Sequence, residues 1–462
     1  MTGVRLEPSM RVHLIGAGGA GMSGLARLLL ERGHPVTGSD LHAGPVVEAL
    51  AGMGATVHVG HDAAHVDGAG LVVWSNAVPP SNPERLRAAE LGVPQIMRAD
   101  LLELLMASHR RILVTGTHGK TTTTSMVAVI LQGAGLEPSF AIGGALVGGG
   151  AGGHHGQGEI FVAEADEAFR SFLRLTPDCA VVTNVEMDHH DEYADIDAVT
   201  AAFRAFLARR PPGGLAVICA DDAGAAALGG DATAPVVTYG EHPEAVVRIS
   251  DVVLRSSGSV FRLWDAGEDL GEFGLRVLGR HNVRNAAAAV VAARWAGAGL
   301  DAIRVALASF RGARRRFERL GEAGGVLVVD DYAHHPTEIA AVIAAARQAR
   351  SAGRVVAAFQ PHLYSRTLAL APDLGEALAG ADLVVVTDIY AAREAPLPGS
   401  DAEVVVRAAA AAGTEAHLVR VLDEVPATVA ALTSPGDLVL TLGAGTITEV
   451  GPKLLGLLAG QT

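Results

Sequence analysis

The clearest chemical signature in the chain is the glycine turn Gly116-Thr117-His118-Gly119-Lys120-Thr121, which follows an apolar run and opens a helical pattern. Backbone N–H groups in such a turn, together with the positive end of the following helix, attract phosphate oxygens. Lys120 would reach the terminal phosphates of a nucleoside triphosphate, and the Thr121 hydroxyl would bind Mg2+, which prefers oxygen ligands. Because Val114 occupies the place of the first glycine in the usual spacing, the turn is a shortened variant of the phosphate loop.

Another glycine turn, Gly16-Ala17-Gly18-Gly19-Ala20-Gly21, lies nearer the N-terminus. We call it the first glycine turn because it precedes the phosphate loop in the chain. It follows the apolar run Val12–Ile15 and precedes a helical pattern, and Asp40 closes the next apolar stretch. On its own, this combination is a dinucleotide fingerprint that favours NAD. An NAD enzyme has no need of a triphosphate loop, however, so two such turns indicate two phosphorylated ligands. The diphosphate of a UDP-sugar suits the first turn as well as NAD does.

Acidic residues follow two later apolar runs. Glu164, Asp166 and Glu167 follow one, and the segment 181–193 (VVTNVEMDHHDEY) ends in an acidic, histidine-rich turn. Ligands of α/β proteins bind at the carboxyl ends of parallel strands, where carboxylates could hold the Mg2+ that bridges ATP phosphates. A neutral imidazole could complete the shell of Mg2+ or Mn2+. By contrast, we expect His154-His155, in a glycine-rich segment, to face solvent.

Three further segments carry polar side chains at positions that could line a site. Asn282 and Asn285 stand three residues apart at a helix start, so Asn282 could cap the helix while Asn285 lies on the same face. The segments 330–336 (DDYAHHP) and 359–367 (FQPHLYSRT) each close an apolar run. Since parallel strands end at the same edge of a sheet, we expect the polar groups of these two segments to face one cleft.

The elements that must position these residues follow from the alternation of short apolar runs with helical patterns, which predicts α/β architecture with mostly parallel sheets. The length of 462 residues predicts several domains. We place them at 1–107, 108–310 and 311–462. Residues 246–277 are expected to form antiparallel strands. In the third unit, the predicted strands are Val326–Asp330, Val355–Phe359, Leu383–Thr387, Leu418–Val421 and Leu438–Leu442.

The composition excludes several classes of protein. The net charge is −14, and no basic run extends beyond Arg314-Arg315-Arg316, which argues against non-specific nucleic-acid binding. The two cysteines form no C-x-x-C motif, so no redox pair or zinc site is indicated, and a reducing compartment is expected. Neither a signal peptide nor an apolar stretch of about 18 residues occurs, so we expect a cytoplasmic protein without membrane insertion. No pattern indicates an oligomeric state.

Seven motifs of the chain resemble those of the Mur ligase family and occur in the same order, and the similarity runs from about residue 11 to about residue 450. They are GTHGKTTTT, AEADE, TNVEMDHHDEY, GRHNVRNAAAA, GARRRFE, VDDYAHHPTE and FQPHLYSRT. The first segment, with GAGGAGMSGLA and SNAVPPSNPE, is similar to the members that add L-alanine to UDP-N-acetylmuramate. The resemblance implies a Rossmann-like N-terminal domain for the UDP-sugar, a central P-loop-type ATPase domain, and a Rossmann-like C-terminal domain for the amino acid.

The resemblance also implies an activity, ATP-dependent amide ligation in peptidoglycan precursor synthesis. ATP would phosphorylate the lactyl carboxylate of UDP-N-acetylmuramate, and the amine of L-alanine would attack the acyl phosphate, so that ADP and phosphate are released. Mg2+, or Mn2+ in its place, and Lys120 would stabilise the developing charge. Because water must be kept from the acyl phosphate, closure between domains is expected.

The resemblance assigns roles to individual residues. The catalytic residues implied are Lys120, Glu164 and His189, and the metal ligands are Thr121, Glu164 and His189. ATP would be bound by Gly116, Thr117, His118, Gly119, Lys120, Thr121, Thr122, Asn282, Asn285, Arg316 and Asp331. The UDP-sugar would be bound by Gly19, Ala20, Gly21, Met22, Ser23, Asp40, Ser75 and Asn76, and the amino acid by His334, His362 and Arg366.

The chain departs from the family pattern in two places. Ala168 and Phe169 stand where many relatives have Ser and Asp, so neither position is assigned a polar role. Leu363 stands where some relatives have Arg, so Arg366 would carry more of any carboxylate contact.

Parts of the sequence are also compatible with other functions. Within the family, a recycling ligase would join UDP-N-acetylmuramate to a tripeptide, although GAGMSGLA and DHHDEY favour the alanine enzyme. Folylpolyglutamate and cyanophycin ligases share the ATP loop but not the UDP-sugar segment. A nicotinamide-dependent dehydrogenase would explain the first segment alone. A non-catalytic UDP-sugar-binding protein would not need Lys120, Glu164 and His189, all of which are present.

Overall fold

The structure is a computed structural model that describes residues 4–147, 152–189, 192–231, 235–350, 353–392 and 394–460. These residues form three sheets flanked by helices, and most strand pairs are parallel. The predicted α/β class is therefore confirmed. Within the described ranges, no helix combines the length and the apolar character needed to cross a membrane.

The first sheet is entirely parallel and places the first glycine turn at its centre. Its strands are β1 (Val12–Ile15), β2 (Val36–Asp40), β3 (Thr56–Val59), β4 (Leu71–Trp74) and β5 (Gln95–Met97), in the spatial order β3-β2-β1-β4-β5. The helices are α1 (Ala20–Glu31), α2 (Pro45–Gly52), α3 (Pro83–Glu90) and α4 (Arg98–Met106). The chain order reverses beside β1, so the turn lies at the switch point where α/β sheets bind ligands.

The central sheet has a parallel part that carries the phosphate loop and an antiparallel extension. Its strands are β6 (Arg110–Thr115), β7 (Ser139–Ala141), β8 (Gly153–His154), β9 (Ile160–Glu164), β10 (Cys179–Val182), β11 (Leu215–Cys219), β12 (Val236–Gly240), β13 (Val247–Arg255), β14 (Gly258–Asp265) and β15 (Glu268–Leu275). The spatial order is β15-β14-β13-β12-β11-β10-β6-β9-β7-β8. The helices are α5 (Lys120–Gly133), α6 (Ile196–Leu207), α7 (Ala223–Ala226), α8 (Arg280–Trp295) and α9 (Leu300–Ser309). The antiparallel pairing predicted within 246–277 is confirmed.

The third sheet has the order β16-β17-β21-β18-β19-β20 and is parallel except for the pair β16–β17. Its strands are β16 (Glu318–Ala323), β17 (Val326–Asp331), β18 (Val355–Phe359), β19 (Leu383–Val386), β20 (Glu415–Leu418) and β21 (Leu438–Leu442). The helices are α10 (Pro336–Ala349), α11 (Tyr364–Leu378), α12 (Glu403–Ala411), α13 (Val425–Leu432) and α14 (Val450–Ala459). The predicted strand Leu418–Val421 is wrong, because the edge strand uses the more polar residues before it and pairs Glu415 with Leu383.

The three sheets do not share one interior. One large apolar core joins the first and central sheets, from Val12 to Phe310, and a smaller one around Ile15 and Val72 covers the other face of the first sheet. The two faces of the third sheet have cores of their own. Helix α1 packs on β8 so closely that a Cβ on Gly153 would lie 2.1 Å from the carbonyl oxygen of Gly24. The first two sheets are therefore held together by close apolar packing.

The two histidines expected to face solvent, His154 and His155, are both partly exposed, and both also contact Glu31. The Nδ1 atom of His154 lies 3.2 Å from Glu31 Oε2, and the backbone N–H of His155 donates a hydrogen bond of 2.6 Å to the same oxygen. Glu31 ends α1, and the packing of that helix on β8 brings its carboxylate to the edge of the central sheet.

Candidate active site

The phosphate loop joins β6 to α5 and depends on glycine at both ends. Gly116 and Gly119 have φ values of +133° and +82°, which strain any residue with a side chain. A Cβ on Gly116 would also lie 2.0 Å from Thr183 Oγ1. On the other side of the loop, Asn184 Oδ1 accepts a hydrogen bond of 2.7 Å from the N–H of His118. Residues after β10 thus hold the loop in its shape.

Lys120 is the first residue of α5, and its ammonium group is surrounded by acceptors. Nζ lies 2.7 Å from Glu167 Oε2 and 3.8 Å from Asp166 Oδ1, and it donates hydrogen bonds to the carbonyl oxygens of Gly116 and Thr117. Burial alone would lower the pKa of Lys120, but the carboxylates of Glu167 and Asp166 outweigh it and raise the pKa. The phosphate loop therefore holds a permanent positive charge.

The predicted metal ligands divide between two neighbouring groups. Thr121 Oγ1 donates a hydrogen bond of 3.1 Å to Glu164 Oε2, and burial raises the pKa of Glu164. His189 lies with Asp166 and Glu167, and one ligand atom from each of these three residues lies within 4.8 Å of the others. Carboxylate and hydroxyl oxygens with one imidazole form a donor set that Mg2+ or Mn2+ accepts. The two neighbouring groups, Thr121 with Glu164 and His189 with Asp166 and Glu167, therefore offer ligands that fit a divalent cation.

A cavity of about 640 Å3 brings the three sheets together. Three sets of polar groups that the sequence singled out line it, one from each sheet. They are the first glycine turn with Ser75, the residues Thr117–Thr121 with Glu164 and His189, and the set His334, His362 and Arg366. The expectation that the segments 330–336 and 359–367 face one cleft agrees with this arrangement, since His334, His362 and Arg366 all line the cavity.

The residues predicted for the UDP-sugar do not all line this cavity. Gly19, Ala20, Gly21, Met22 and Ser75 do so, whereas Ser23, Asp40 and Asn76 are absent from its lining within the described part of the chain. The carboxylate of Asp40 instead accepts a hydrogen bond of 2.8 Å from the N–H of Gly18, and the Ser23 hydroxyl donates to the carbonyl oxygen of Ala20. Asp40 and Ser23 thus support the turn from outside the cavity.

A second cavity of about 190 Å3 adjoins the phosphate loop between the central and third sheets. The predicted ATP-binding residues that line it are His118, Gly119, Thr122, Asn282, Asn285, Arg316 and Asp331. Asn285 Nδ2 donates to Asn282 Oδ1 at 3.1 Å, and Asn282 Nδ2 donates to the carbonyl oxygen of Leu278 at 2.7 Å. The prediction that Asn282 caps α8 is wrong, because Gly279 occupies that position and Asn282 lies in the first turn.

The third sheet reaches the central sheet through a buried ion pair. Arg366 Nη2, on α11, lies 2.6 Å from Asp188 Oδ1, and the two side chains are only 6% and 8% exposed. Burial would raise the pKa of Asp188, but the charge of Arg366 lowers it well below its usual range. Beside them, burial lowers the pKa of His334 to about 4, and His362 lies with its ring centre 5.7 Å from that of His334. The imidazole of His334 is therefore neutral.

Two carboxylates that were not predicted as site residues, Glu186 and Glu338, also connect the central and third sheets. Their carboxylates flank His118 at 3.5 Å from Nε2 and 3.2 Å from Nδ1, respectively. Thr337 Oγ1 donates a hydrogen bond of 2.6 Å to Glu186. Both residues lie in motifs quoted above, Glu186 in TNVEMDHHDEY and Glu338 in VDDYAHHPTE, but neither motif shows that the two carboxylates meet at His118.

The contacts of His118 predict that stability depends on pH. Burial would lower the pKa of His118, but Glu338 and Glu186 outweigh it and raise the pKa from 6.5 to about 9. A pKa that is raised in the folded state adds stability that is complete below pH 6.5 and is lost as the pH rises through about 9. We therefore expect the difference in melting temperature between the unsubstituted protein and His118→Asn to shrink from about pH 6 to about pH 10. A constant difference would contradict this assignment.

Three models of Mur ligase domains match consecutive parts of the chain. The model described as "Mur ligase family, catalytic domain" matches residues 11–110, "Mur ligase middle domain" matches 114–293, and "Mur ligase, glutamate ligase domain" matches 315–445. The chain therefore belongs to the Mur ligase family, and the resemblance found in the sequence is confirmed.

Individual relatives match over the whole length of the chain. A protein of Streptomyces avermitilis named UDP-N-acetylmuramate–L-alanine ligase is 49% identical over 455 residues, which is 98% of each chain. The crystal structure of the UDP-N-acetylmuramate–alanine ligase of Thermotoga maritima has a TM-score of 0.84 at 28% identity, and the match covers 98% of this chain and 100% of that one. A murein peptide ligase from Psychrobacter arcticus has a TM-score of 0.74 at 25% identity, covering 98% and 99%.

Proposed function

We propose that the chain is an ATP-dependent ligase that joins L-alanine to the lactyl carboxylate of UDP-N-acetylmuramate in peptidoglycan precursor synthesis. The observation that carries the proposal is the cavity of about 640 Å3, which is lined by both phosphate-binding turns and by the polar groups of the third sheet. A dehydrogenase would need neither the phosphate loop nor the third sheet at its site. The named relatives, which match from end to end, support the same activity.

The reaction would proceed in two steps. An oxygen of the lactyl carboxylate forms a bond to the γ-phosphorus of ATP as the bond to ADP breaks. The nitrogen of L-alanine then bonds to the acyl carbon as the bond to the phosphate oxygen breaks, and one proton is lost from the amine. The first step activates a carboxylate that is otherwise a poor electrophile, and both steps need water to be excluded.

We assign the three units 1–107, 108–310 and 311–462 to the UDP-sugar, to ATP and to the amino acid, respectively. Lys120 would contact the γ-phosphate, and its charge would stabilise the transferring phosphoryl group. Asn282 and Asn285 would lie near adenine, and Arg316 and Asp331 would reach ATP from the third unit. His334, His362 and Arg366 would hold the amino acid or the acyl phosphate.

Mg2+, or Mn2+ in its place, would be held by Thr121, Glu164 and His189. When bound, the cation supplies positive charge to the phosphate oxygens and orients them. The two free cysteines, Cys179 and Cys219, are buried and support a reducing compartment such as the cytoplasm.

The test is phosphate release by the purified protein with ATP, Mg2+ and UDP-N-acetylmuramate, with and without L-alanine. We expect sustained release only when all components are present, because the acyl phosphate cannot turn over without an amine. Release that is independent of UDP-N-acetylmuramate, or binding of NADH without any release, would contradict the proposal.

A second candidate, a ligase that attaches a tripeptide instead of L-alanine, is favoured by the likeness to the murein peptide ligase. The same assay separates the two candidates when L-alanine is replaced by L-alanyl-γ-D-glutamyl-meso-diaminopimelate. Turnover with the tripeptide but not with L-alanine would establish the second candidate.

A further inference from the structure

The first sheet buries an acidic side chain away from both cavities. Glu84, on α3, has no exposed side-chain surface, and its carboxylate lies 2.7 Å from Ser39 Oγ, 3.0 Å from His61 Nδ1 and 2.9 Å from His65 Nδ1. His13 Nε2 lies 3.6 Å from the same carboxylate. We call these five side chains the Glu84 network.

The Glu84 network is ionic. Burial alone would raise the pKa of Glu84, but its contacts with His13, Ser39 and His65 outweigh it and lower the pKa to about 2. The carboxylate is thus ionised and accepts hydrogen bonds from Ser39, His61 and His65, whereas His13 lies too far away to donate one. Since a buried ionic group often stabilises a fold no better than well-packed apolar side chains, its presence points to a role beyond stability.

Ser39 connects the Glu84 network to the first glycine turn. While its hydroxyl donates to the buried carboxylate, its backbone carbonyl oxygen accepts the N–H groups of Gly16 at 2.8 Å and Ala17 at 2.9 Å. The next residue, Asp40, accepts the N–H of Gly18 at 2.8 Å. Two residues at the end of β2 thus fix three successive amides of the turn. Ser39 is itself fully buried, and its hydroxyl donates to the carboxylate of Glu84.

We propose that Glu84 is a positioning residue for the UDP-sugar, because it holds Ser39 and, through Ser39, the amide groups of the first glycine turn. This inference rests on the proposed function, which assigns the diphosphate of the UDP-sugar to that turn. The N–H groups of Gly16, Ala17 and Gly18 donate within the protein and so fix the path of the turn, and the diphosphate would bind the N–H groups that follow at the start of α1. Loss of the network therefore weakens UDP-sugar binding and leaves the ATP and amino-acid sites unchanged.

The substitution Glu84→Gln keeps the shape of the side chain and replaces one acceptor oxygen by a donor. We expect the Kd for UDP-N-acetylmuramate, measured by calorimetry without ATP or amino acid, to rise about tenfold. The kcat and the KM for ATP and L-alanine should stay within about twofold of the unsubstituted protein. A residue that only stabilised the fold would lower the melting temperature and leave this Kd unchanged.

Ser39→Ala provides a second variant in case Glu84→Gln folds poorly. It removes the hydroxyl but keeps the carbonyl group that binds the turn, so the Kd should rise in the same direction. The two substitutions act on one hydrogen bond, and their effects on the Kd should not add in the double variant. Additive effects would contradict a shared route through Ser39.

The matched control is Asp437→Asn, which alters another buried carboxylate far along the chain. Asp437 is 6% exposed and lies 2.6 Å from Arg354 Nη2 in the third sheet. This substitution should lower the melting temperature without changing the Kd for UDP-N-acetylmuramate. If Glu84→Gln and Ser39→Ala both bind as the unsubstituted protein does, the positioning role is overturned while the proposed function stands. If the unsubstituted protein binds no UDP-N-acetylmuramate, both are overturned.

Discussion

Replacing Lys120 with alanine is expected to lower kcat about 10²- to 10³-fold, because the substitution removes the fixed positive charge that we assign to the transferring phosphoryl group. The ammonium lies 2.7 Å from Glu167, whose side chain is 3% exposed, and this contact holds the lysine in the phosphate loop. The charge is therefore in place before ATP binds. Steady-state phosphate release at saturating ATP, UDP-N-acetylmuramate and L-alanine measures the effect.

Lys453→Ala is the matched control for this prediction. Lys453 is 48% exposed and pairs with Asp423 on the surface, so its loss should leave kcat unchanged. Lys120→Ala also leaves Glu167 without its main partner, so melting temperatures should be recorded with the kinetics. A folded Lys120→Ala protein with normal kcat would remove Lys120 from the mechanism.

Replacing Arg366 with alanine is expected to have two separate effects. It leaves Asp188 buried without a counter-charge, which should cost about 3–5 kcal/mol of stability. It also removes the cation assigned to the carboxylate of L-alanine, so the KM for L-alanine should rise by at least about tenfold. Denaturant unfolding measures the first effect, and initial rates at varied L-alanine measure the second.

The double variant Arg366→Ala/Asp188→Asn separates these effects. Removing the charge of Asp188 relieves the unpaired carboxylate, so much of the lost stability should return. The KM for L-alanine should remain high, because the guanidinium is still absent. A normal KM in the double variant would show that Arg366 serves the ion pair and not the amino acid.

Much of the fold could be predicted because buried parallel strands carry nearly continuous apolar residues. The strands β1, β18 and β21 have the bounds that the sequence predicts. The prediction failed for β20, an edge strand whose first residue, Glu415, is exposed. An edge strand is buried on fewer sides, so its residues need not be apolar and the pattern is lost.

The candidate site was predictable where it depends on local turns and not where it depends on contacts between units. A strand, a glycine turn and a helix start in succession determine the phosphate loop, so Gly116 and Lys120 could be identified from sequence alone. Arg366 and Asp188 are 178 residues apart, and their contact depends on how the third sheet docks. No short-range pattern predicts that docking. For the same reason, the contacts of Glu186 and Glu338 with His118 could not be predicted.

The division of the apolar cores has a consequence for evolution. The two phosphate-binding turns belong to a single packed body, whereas the third sheet has its own interior and meets that body largely through polar pairs such as Arg366 with Asp188. Under the proposed assignment, the part that selects the acceptor is thus a separable module. Its sequence can diverge, or be exchanged for another, without repacking the residues that activate the carboxylate. Ligases for new acceptors can therefore evolve while the packed body that carries the two phosphate-binding turns is inherited unchanged.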